Sequence, residues 1–114
     1  MKSIRGAIAI VQNNEESIMS SSKKLINEIL INNEINENDI EFVIFTVTSD
    51  ITEAFPAKAF RDLGMTSVAA IDTLAPKINS DLSGCIRILI YLNKDLEEIN
   101  HVYLDDAKKL RPDR

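Results

Sequence analysis

This sequence of 114 residues has little of the chemistry on which many enzymes depend. It contains one cysteine and one histidine, Cys85 and His101, which cannot together build a conventional zinc site. Its three glycines, Gly6, Gly64 and Gly84, are too scattered for a phosphate-binding loop. No serine lies in the G-x-S-x-G pattern of a nucleophile elbow. The sequence therefore disfavours metalloenzymes, nucleotide-dependent enzymes and covalent hydrolases.

Aromatic residues are also scarce, and acidic residues outnumber basic ones by 18 to 13. The formal net charge is -5, aromatic residues make up 5% of the chain and tryptophan is absent, whereas a nucleic-acid-binding face is normally basic. The lone Cys85 cannot form an intrachain disulfide. No segment approaches the roughly 20 consecutive apolar residues of a membrane span. We expect a cytoplasmic protein with neither nucleic acid nor a membrane as its partner.

The residues that are present favour one folded domain over 1–114. Hydrophobic residues make up 45% of the chain and charged residues 27%, as in ordinary globular proteins. Apolar patterns predict strands over 3–11, 42–47, 68–71 and 85–92. In the first strand Ile4, Ile8 and Ile10 share one face and Arg5 lies on the other. The second strand is continuously apolar, which predicts a central position with both faces covered.

Two helices are predicted between these strands. A capping pair, Asn13 and Glu16, begins a long amphipathic helix that runs to about residue 32, and a loop or short helical turn follows over 32–39. Pro56 begins a short helix that Gly64 closes in a left-handed conformation. The segment 72–83 is predicted to be a polar loop. This order of elements indicates an α/β or α+β sheet domain.

Arginine is the residue type whose placement is unusual. In the strand CIRILIYL, Arg87 shares its face with Cys85, Leu89 and Tyr91. A desolvated guanidinium needs a carboxylate, which either the protein or a ligand can provide. Both interpretations of Arg87, a structural ion pair and a functional residue, stay open at this point. Cys85 itself is interpreted as a plain buried thiol.

Other arginines repeat this pattern. Arg5 lies within an apolar strand, and Arg61 and Arg111 lie beside apolar segments. Because a guanidinium binds carboxylates through two parallel hydrogen bonds, these arginines suggest recognition of a small dianion. The stretch AFPAKAFR at 54–61 places Lys58 and Arg61 three residues apart behind a proline. It is either an amphipathic helical turn with solvated cations or part of a basic pocket.

Four segments, in order, resemble the AroH-class monofunctional chorismate mutases: IRGA at 4–7, AFPAKAFR at 54–61, CIRIL at 85–89 and HVYLDDAKKLRPD at 101–113. The resemblance spans nearly the whole chain. It implies an α+β fold with a mixed sheet, one long and one short helix, and a homotrimeric pseudo-α/β-barrel with active sites between subunits. It also implies conversion of chorismate to prephenate by an intramolecular Claisen rearrangement, with no cofactor or metal.

The resemblance also assigns roles to residues. Arg87 matches the main catalytic arginine, which faces the ether oxygen of chorismate, and Arg5 and Tyr103 match the residues that hold the enolpyruvyl carboxylate. Arg111 matches an arginine of the C-terminal segment that helps to close the site. The remaining matches are substrate-binding residues, of which the first four are expected from the neighbouring subunit: Phe55, Ala57, Lys58, Arg61, Ile71, Thr73, Leu74 and Ala75.

One position departs from the family pattern. The family's glutamate, which accepts a hydrogen bond from the ring hydroxyl, falls on Ala75 in this sequence. Our hypothesis is that Asp72 supplies the missing carboxylate, with Asp81 as second choice. The alternative is that Asp72 merely caps a turn over 72–76.

Two other functions stay open. If that carboxylate is lost, the chain is a catalytically weak or inactive trimeric binding module for a chorismate-like dicarboxylate. A purely structural alternative is that the arginines form an interface network in an oligomer without a ligand.

Overall fold

Five strands form one mixed sheet in the computed structural model, which describes residues 1–110. The strands are β1 (Ser3–Ile8), β2 (Ile40–Val47), β3 (Ala70–Leu74), β4 (Ile86–Leu92) and β5 (Val102–Leu104), in the spatial order β3-β2-β4-β1-β5. β4 pairs antiparallel with β1 and β2, whereas β3 pairs parallel with β2, and β5 parallel with β1. The helices are α1 (Glu15–Asn33) and α2 (Lys58–Asp62), with 3-10 turns over Glu37–Asp39 and Asp105–Leu110. The predicted α+β fold with one long and one short helix is confirmed.

The core lies between one face of this sheet and α1. The helix buries an apolar stripe of Ile18, Leu25, Ile26 and Ile29, which are all fully enclosed. Each such side chain contributes roughly 1.5–3 kcal/mol when it is removed from water. Gly6 permits the close approach of helix and sheet, because a Cβ at this position would lie 2.9 Å from the Cδ1 of Ile29.

The opposite face of the sheet, which we call the open face, is only partly covered by residues 1–110: a small cluster that includes Ala7, Cys85 and Ala107 is buried there. β2 lies between β3 and β4, as an interior strand should, but its side chains alternate between buried Val43 and Phe45 and less buried Phe42 and Ile44. The expectation that this single subunit covers both faces of β2 is therefore not met. Phe42 stacks on Tyr91 of β4 with ring centroids 5.2 Å apart. This arrangement leaves an apolar surface on the outside of the subunit.

Two predicted features at the N-terminal end of the chain are wrong in detail. β1 ends at Ile8, and Ile10 is exposed with a φ of 58°, so Ile10 does not share the buried face of Ile4 and Ile8. The cap of α1 is Asn14 rather than Asn13, because the Asn14 side chain accepts a hydrogen bond from Ser17 N at 2.7 Å.

The amide group of Asn13 instead bonds to the segment before α2. Its Oδ1 accepts from Thr52 N at 2.8 Å and Glu53 N at 3.1 Å, so this side chain ties the loop before α1 to residues 52–53.

The short helix is shorter than predicted, but it ends as predicted. It begins at Lys58, and Pro56 lies in the preceding turn, where its carbonyl accepts from Ala59 N at 2.9 Å. Gly64 has a φ of 81°, and Met65 N donates to Phe60 O at 2.8 Å in the pattern of a Schellman cap. This geometry confirms the left-handed role of Gly64.

β3 lies further along the chain than predicted. It covers Ala70–Leu74 and pairs in register with β2, so residues 72–74 are strand rather than loop. β4 begins at Ile86, one residue later than predicted. Within residues 1–110, no helix is long and apolar enough to cross a membrane.

Candidate active site

One row of residues crosses all five strands on the open face. Strand register aligns Thr73 of β3 with Thr46 of β2, then Arg87 of β4, Ala7 of β1 and Tyr103 of β5. Directly paired residues point to the same face of a sheet. Arg87 and Tyr103 therefore share the open face, with the small Ala7 between their strands.

A cleft of about 440 Å³ lies on this face, and we call it the sheet-face cleft. Arg5, Arg87 and Tyr103 all line it. Arg5 precedes Ala7 by two residues on β1, so strand alternation places its exposed side chain on the same face. The structure thus brings together the three residues that the family resemblance assigns to one site.

Six further lining residues of the sheet-face cleft were not predicted as site residues: Gly6, Ile44, Thr46, Ile88, Leu89 and Leu110. Thr46 contributes a hydroxyl from β2, and Leu110 lies at the end of the 3-10 turn that follows β5. A signal for Thr46 was present in the sequence, since it is the only polar residue of the run FVIFTV. Arg111 follows Leu110 directly and lies outside the described residues, so the structure does not place it.

Arg87 has a protein partner in this structure. Its Nη2 lies 3.0 Å from each of the two carboxylate oxygens of Asp81. The two side chains are 33% and 17% exposed, respectively, so the pair is partly shielded from water. Hydrogen bonding to Arg87 lowers the pKa of Asp81 below its ordinary value. Arg87 therefore forms an ion pair within the protein, and the same side chain also lines the sheet-face cleft.

The segment AFPAKAFR contributes to a second cleft, of about 430 Å³, which we call the Phe55 cleft. Phe55 and Lys58 line it together with Asp72, Thr73 and Leu74 of β3. Phe55 is 72% exposed, an unusual state for a large apolar side chain. Lys58 lies 3.5 Å from the carboxylate of Glu15, which lines the same cleft. Within one subunit, these residues form a different cleft from that of Arg87.

Asp72 points to the opposite side of the sheet from Arg87. It pairs in register with Phe45, whose side chain is buried on the core face. Its Oδ1 accepts a hydrogen bond from Ala57 N at 3.0 Å. Burial raises the pKa of Asp72, and the bond from Ala57 partly opposes that shift. The interpretation of Asp72 as the cap of a turn is wrong, because it lies within β3 and bonds to the start of α2.

Several predicted residues lie elsewhere. Arg61 and Ile71 are exposed and line neither cleft. Ala57 contributes its backbone amide to Asp72. Ala75 is buried, and it lines a groove that also contains Asp81.

The lone cysteine and the acidic residues add no further site. Cys85 is a buried free thiol as expected, and burial raises its pKa. In the part of the chain that the structure describes, no group of three or more histidine, cysteine or acidic residues is arranged to hold a metal.

These features define an α+β domain with an arginine-lined cleft on the open face of a mixed sheet, which suits a small anionic ligand. The family model for chorismate mutase type I matches residues 1–114. The chain belongs to this family.

Named relatives agree with this assignment. The chorismate mutase AroH of Thermus thermophilus is 37% identical over 116 residues, which cover 99% of this chain and 95% of the relative. The chorismate mutase AroH of Bacillus subtilis (strain 168) is 32% identical over 116 residues, which cover 99% and 91%. A solved chorismate mutase from Clostridium thermocellum superposes with a TM-score of 0.91 at 38% identity, covering 96% of this chain and 99% of that one. The fold is therefore that of the AroH-type chorismate mutases.

Proposed function

We propose that this protein is an isomerase that converts chorismate to prephenate. The observation that carries this proposal is the convergence of Arg5, Arg87 and Tyr103 on one cleft, in a chain whose whole length matches the family. Chorismate carries two carboxylates, and guanidinium groups are the side chains best suited to bind them.

The reaction needs a shaped, charged site rather than a reactive side chain. In the rearrangement the ether C–O bond breaks and a C–C bond forms within one molecule, and no proton, electron or group is exchanged with the protein. The site must hold the folded conformer and stabilise the negative charge that develops on the ether oxygen.

Each of the three residues then has a distinct role. Arg87 faces the ether oxygen, where a fixed cation stabilises the transition state more than the ground state. Arg5 and Tyr103 bind the enolpyruvyl carboxylate and hold it in the reactive conformer. In these roles the guanidinium of Arg5 and the phenolic hydroxyl of Tyr103 act as hydrogen-bond donors to the carboxylate.

We also propose that the active protein is a cytoplasmic homotrimer, in which the Phe55 cleft of one subunit completes the sheet-face cleft of its neighbour. Two observations support this arrangement: Phe55 is exposed, and the open face carries the apolar residues Phe42, Leu89 and Tyr91. Apolar surfaces of this kind are typical of subunit interfaces. The second subunit would then supply residues that line its Phe55 cleft, among them Phe55, Lys58, Thr73 and Leu74. Arg111 would close the site.

The carboxylate that faces the ring hydroxyl is proposed to come from Asp72, with Ala75 in the position of the family glutamate. Asp72 lines the same cleft as Phe55 and Lys58. Its Oδ1 is bound to Ala57, and among residues 1–110 its Oδ2 makes no hydrogen bond, so that oxygen can accept one from a ligand. Asp81 is the less suitable candidate, because both of its oxygens contact Arg87.

The test is the steady-state loss of chorismate absorbance with the parent protein, Asp72→Ala and Ala75→Glu. Turnover by the parent that collapses in Asp72→Ala supports a mutase whose carboxylate has moved to residue 72. No turnover by the parent, with a gain in Ala75→Glu, supports the second candidate function: a module that binds a chorismate-like dicarboxylate. The alanine at position 75 is the observation that favours that second function. An absence of saturable diacid binding would overturn both.

A further inference from the structure

The backbone around Asp81 is held in place by hydrogen bonds at several points. Asp81 N donates to Ile78 O at 3.1 Å, and further along the chain Gly84 N donates to Asp50 Oδ2 at 2.7 Å. Gly84 has a φ of 56°, and a Cβ there would lie 2.5 Å from Val11 O. The backbone at Gly84 is therefore packed tightly against the segment that contains Val11. The segment that carries Asp81 is therefore well anchored.

The carboxylate of Asp81 is oriented as well as anchored. Its Oδ1 also accepts a hydrogen bond from Leu82 N at 2.9 Å, and the side chain is 17% exposed. Leu82 packs against the small buried cluster that includes Ala7 and Cys85. Because this carboxylate is held by a backbone amide and shielded from water, it can fix the position of the guanidinium that it binds.

Arg87 uses only one of its nitrogens to contact Asp81. Both Asp81 oxygens lie 3.0 Å from Nη2, and within residues 1–110 neither Nε nor Nη1 of Arg87 makes a hydrogen bond. A guanidinium has five donors in a rigid plane, so a contact at one nitrogen constrains the direction of all the others. The remaining donors are thus available to the sheet-face cleft.

We propose that Asp81 is a positioning residue that holds the guanidinium of Arg87 in the orientation needed to face the reacting ether oxygen. This inference rests on the proposed mutase function. Displacement of a catalytic group by about 1 Å can reduce a rate on the order of 10²-fold, so an anchor for a long, flexible side chain has a direct effect on turnover. Asp81 contacts only Nη2 of Arg87, so Nε and Nη1 remain available to bind the substrate.

The experiment compares the parent with Asp81→Asn, Asp81→Ala and Asp95→Asn. Asp95 is a matched control, since it forms an exposed ion pair with the N-terminal amine at 3.2 Å, away from both clefts. Three quantities are measured: kcat and KM for chorismate, and the NMR order parameter of the Arg87 Nε–H group. The Arg87 resonance is assigned by its loss in Arg87→Lys, and the Nε–H group of Arg5 serves as an internal reference.

Positioning predicts a fall in kcat of about tenfold or more in Asp81→Ala and a smaller fall in Asp81→Asn, with KM changed by less than about threefold. KM should not rise strongly, because the positive charge of Arg87 is retained. The Nε–H order parameter of Arg87 should fall while that of Arg5 is unchanged. Asp95→Asn should match the parent in every measurement.

Three outcomes overturn the inference. The first is an unchanged order parameter for Arg87 in Asp81→Ala. The second is a reduced order parameter with unchanged kcat. The third is an increase in kcat/KM, which would make Asp81 a competitor of the substrate for Arg87.

Failure of the proposed function is a separate result. If the parent does not turn over chorismate, the mutase assignment fails, whereas the order parameter still decides whether Asp81 fixes Arg87. Asp81→Asn is nearly isosteric, so it provides the comparison should Asp81→Ala fail to fold.

Discussion

Asp72 of β3 and Ala57, at the start of α2, are joined by a hydrogen bond of 3.0 Å from the Ala57 amide to the Asp72 carboxylate. This bond ties the segment that carries Phe55 and Lys58 to the edge of the sheet. It also gives Asp72 a structural role in addition to its proposed catalytic one. Substitutions at position 72 can separate these roles.

The first prediction compares Asp72→Asn with Asp72→Ala. The asparagine retains an oxygen that can accept from Ala57, so we expect its free energy of unfolding to stay close to that of the parent. The alanine removes the acceptor and should lower that free energy by about 1 kcal/mol. If the carboxylate also serves the ring hydroxyl, both variants should lose kcat. Urea unfolding and steady-state kinetics measure the two effects, and an Asp72→Asn variant with full kcat would contradict the catalytic role.

The second prediction concerns the pH dependence of stability. Burial raises the folded-state pKa of Asp72 above the ordinary value of 3.8, so the folded protein binds a proton more tightly here than the unfolded chain does. The contribution of Asp72 to stability is therefore most favourable at low pH, and it decreases as pH rises from 3.8 through the raised pKa. The difference in unfolding free energy, parent minus Asp72→Asn, should become less favourable to the parent as pH rises from about 4 through the raised pKa. A constant difference over this range would contradict the prediction.

The face of the sheet on which Arg5 and Arg87 lie could be predicted, because strands impose a period of two. Alternation in IRILIYL placed Arg87 opposite the buried isoleucines, and the structure confirms this with Ile86, Ile88, Ile90 and Leu92 all buried. The partner of Arg87 was harder to identify. Asp81 lies in an irregular segment without periodicity, so its direction is set by contacts such as that between Gly84 and Asp50, which are distant in sequence.

The errors in element boundaries have similar causes. β3 is defined by its pairing with β2, and the Ala75 amide continues that pairing with a bond of 2.9 Å to Val47 O. Hydrophobic pattern alone favoured an earlier segment. Ile10 was predicted to lie in the first strand but does not, because its amide donates to Ser83 O at 3.1 Å. The sequence around Ile10 does not reveal this contact.

The third prediction is that Arg87→Lys lowers kcat on the order of 10²- to 10³-fold, as expected when a transition-state donor is lost. Lysine keeps the positive charge and can still pair with Asp81, but it lacks the planar fork that presents several donors at once. The thermal unfolding midpoint should therefore change much less than the rate. Steady-state kinetics and circular dichroism provide the two measurements, and a variant with parental kcat would remove Arg87 from its proposed role.

The fourth prediction concerns the packing of α1 on the sheet. In Gly6→Ala the new Cβ would lie 2.9 Å from both Ile29 Cδ1 and the Val102 carbonyl oxygen. The Ile29 side chain can shift, but the backbone of β5 cannot do so without disturbing its pairing with β1, so we expect a loss of about 1–3 kcal/mol in unfolding free energy. Gly64→Ala is the comparison, since a Cβ there meets nothing within 4 Å. Its cost should arise only from the φ of 81°, at roughly 1–2 kcal/mol.

The fifth prediction tests the proposed trimer through the open face of the sheet. Tyr91 stacks on Phe42 there, and a carboxylate introduced by Tyr91→Asp would have to be buried without a partner if a neighbouring subunit covers this face. We expect the variant to dissociate at concentrations at which the parent is trimeric, as measured by sedimentation velocity.

Ile31→Asp is the matched control, because Ile31 is 71% exposed on α1, the element that covers the other face of the sheet. The same change of an apolar side chain to a carboxylate should leave assembly intact there. Since the proposed active site needs residues from two subunits, Tyr91→Asp should also lose turnover in proportion to its dissociation. A monomeric parent would contradict the proposed trimer. A Tyr91→Asp protein that assembles as the parent does would place the subunit interface elsewhere.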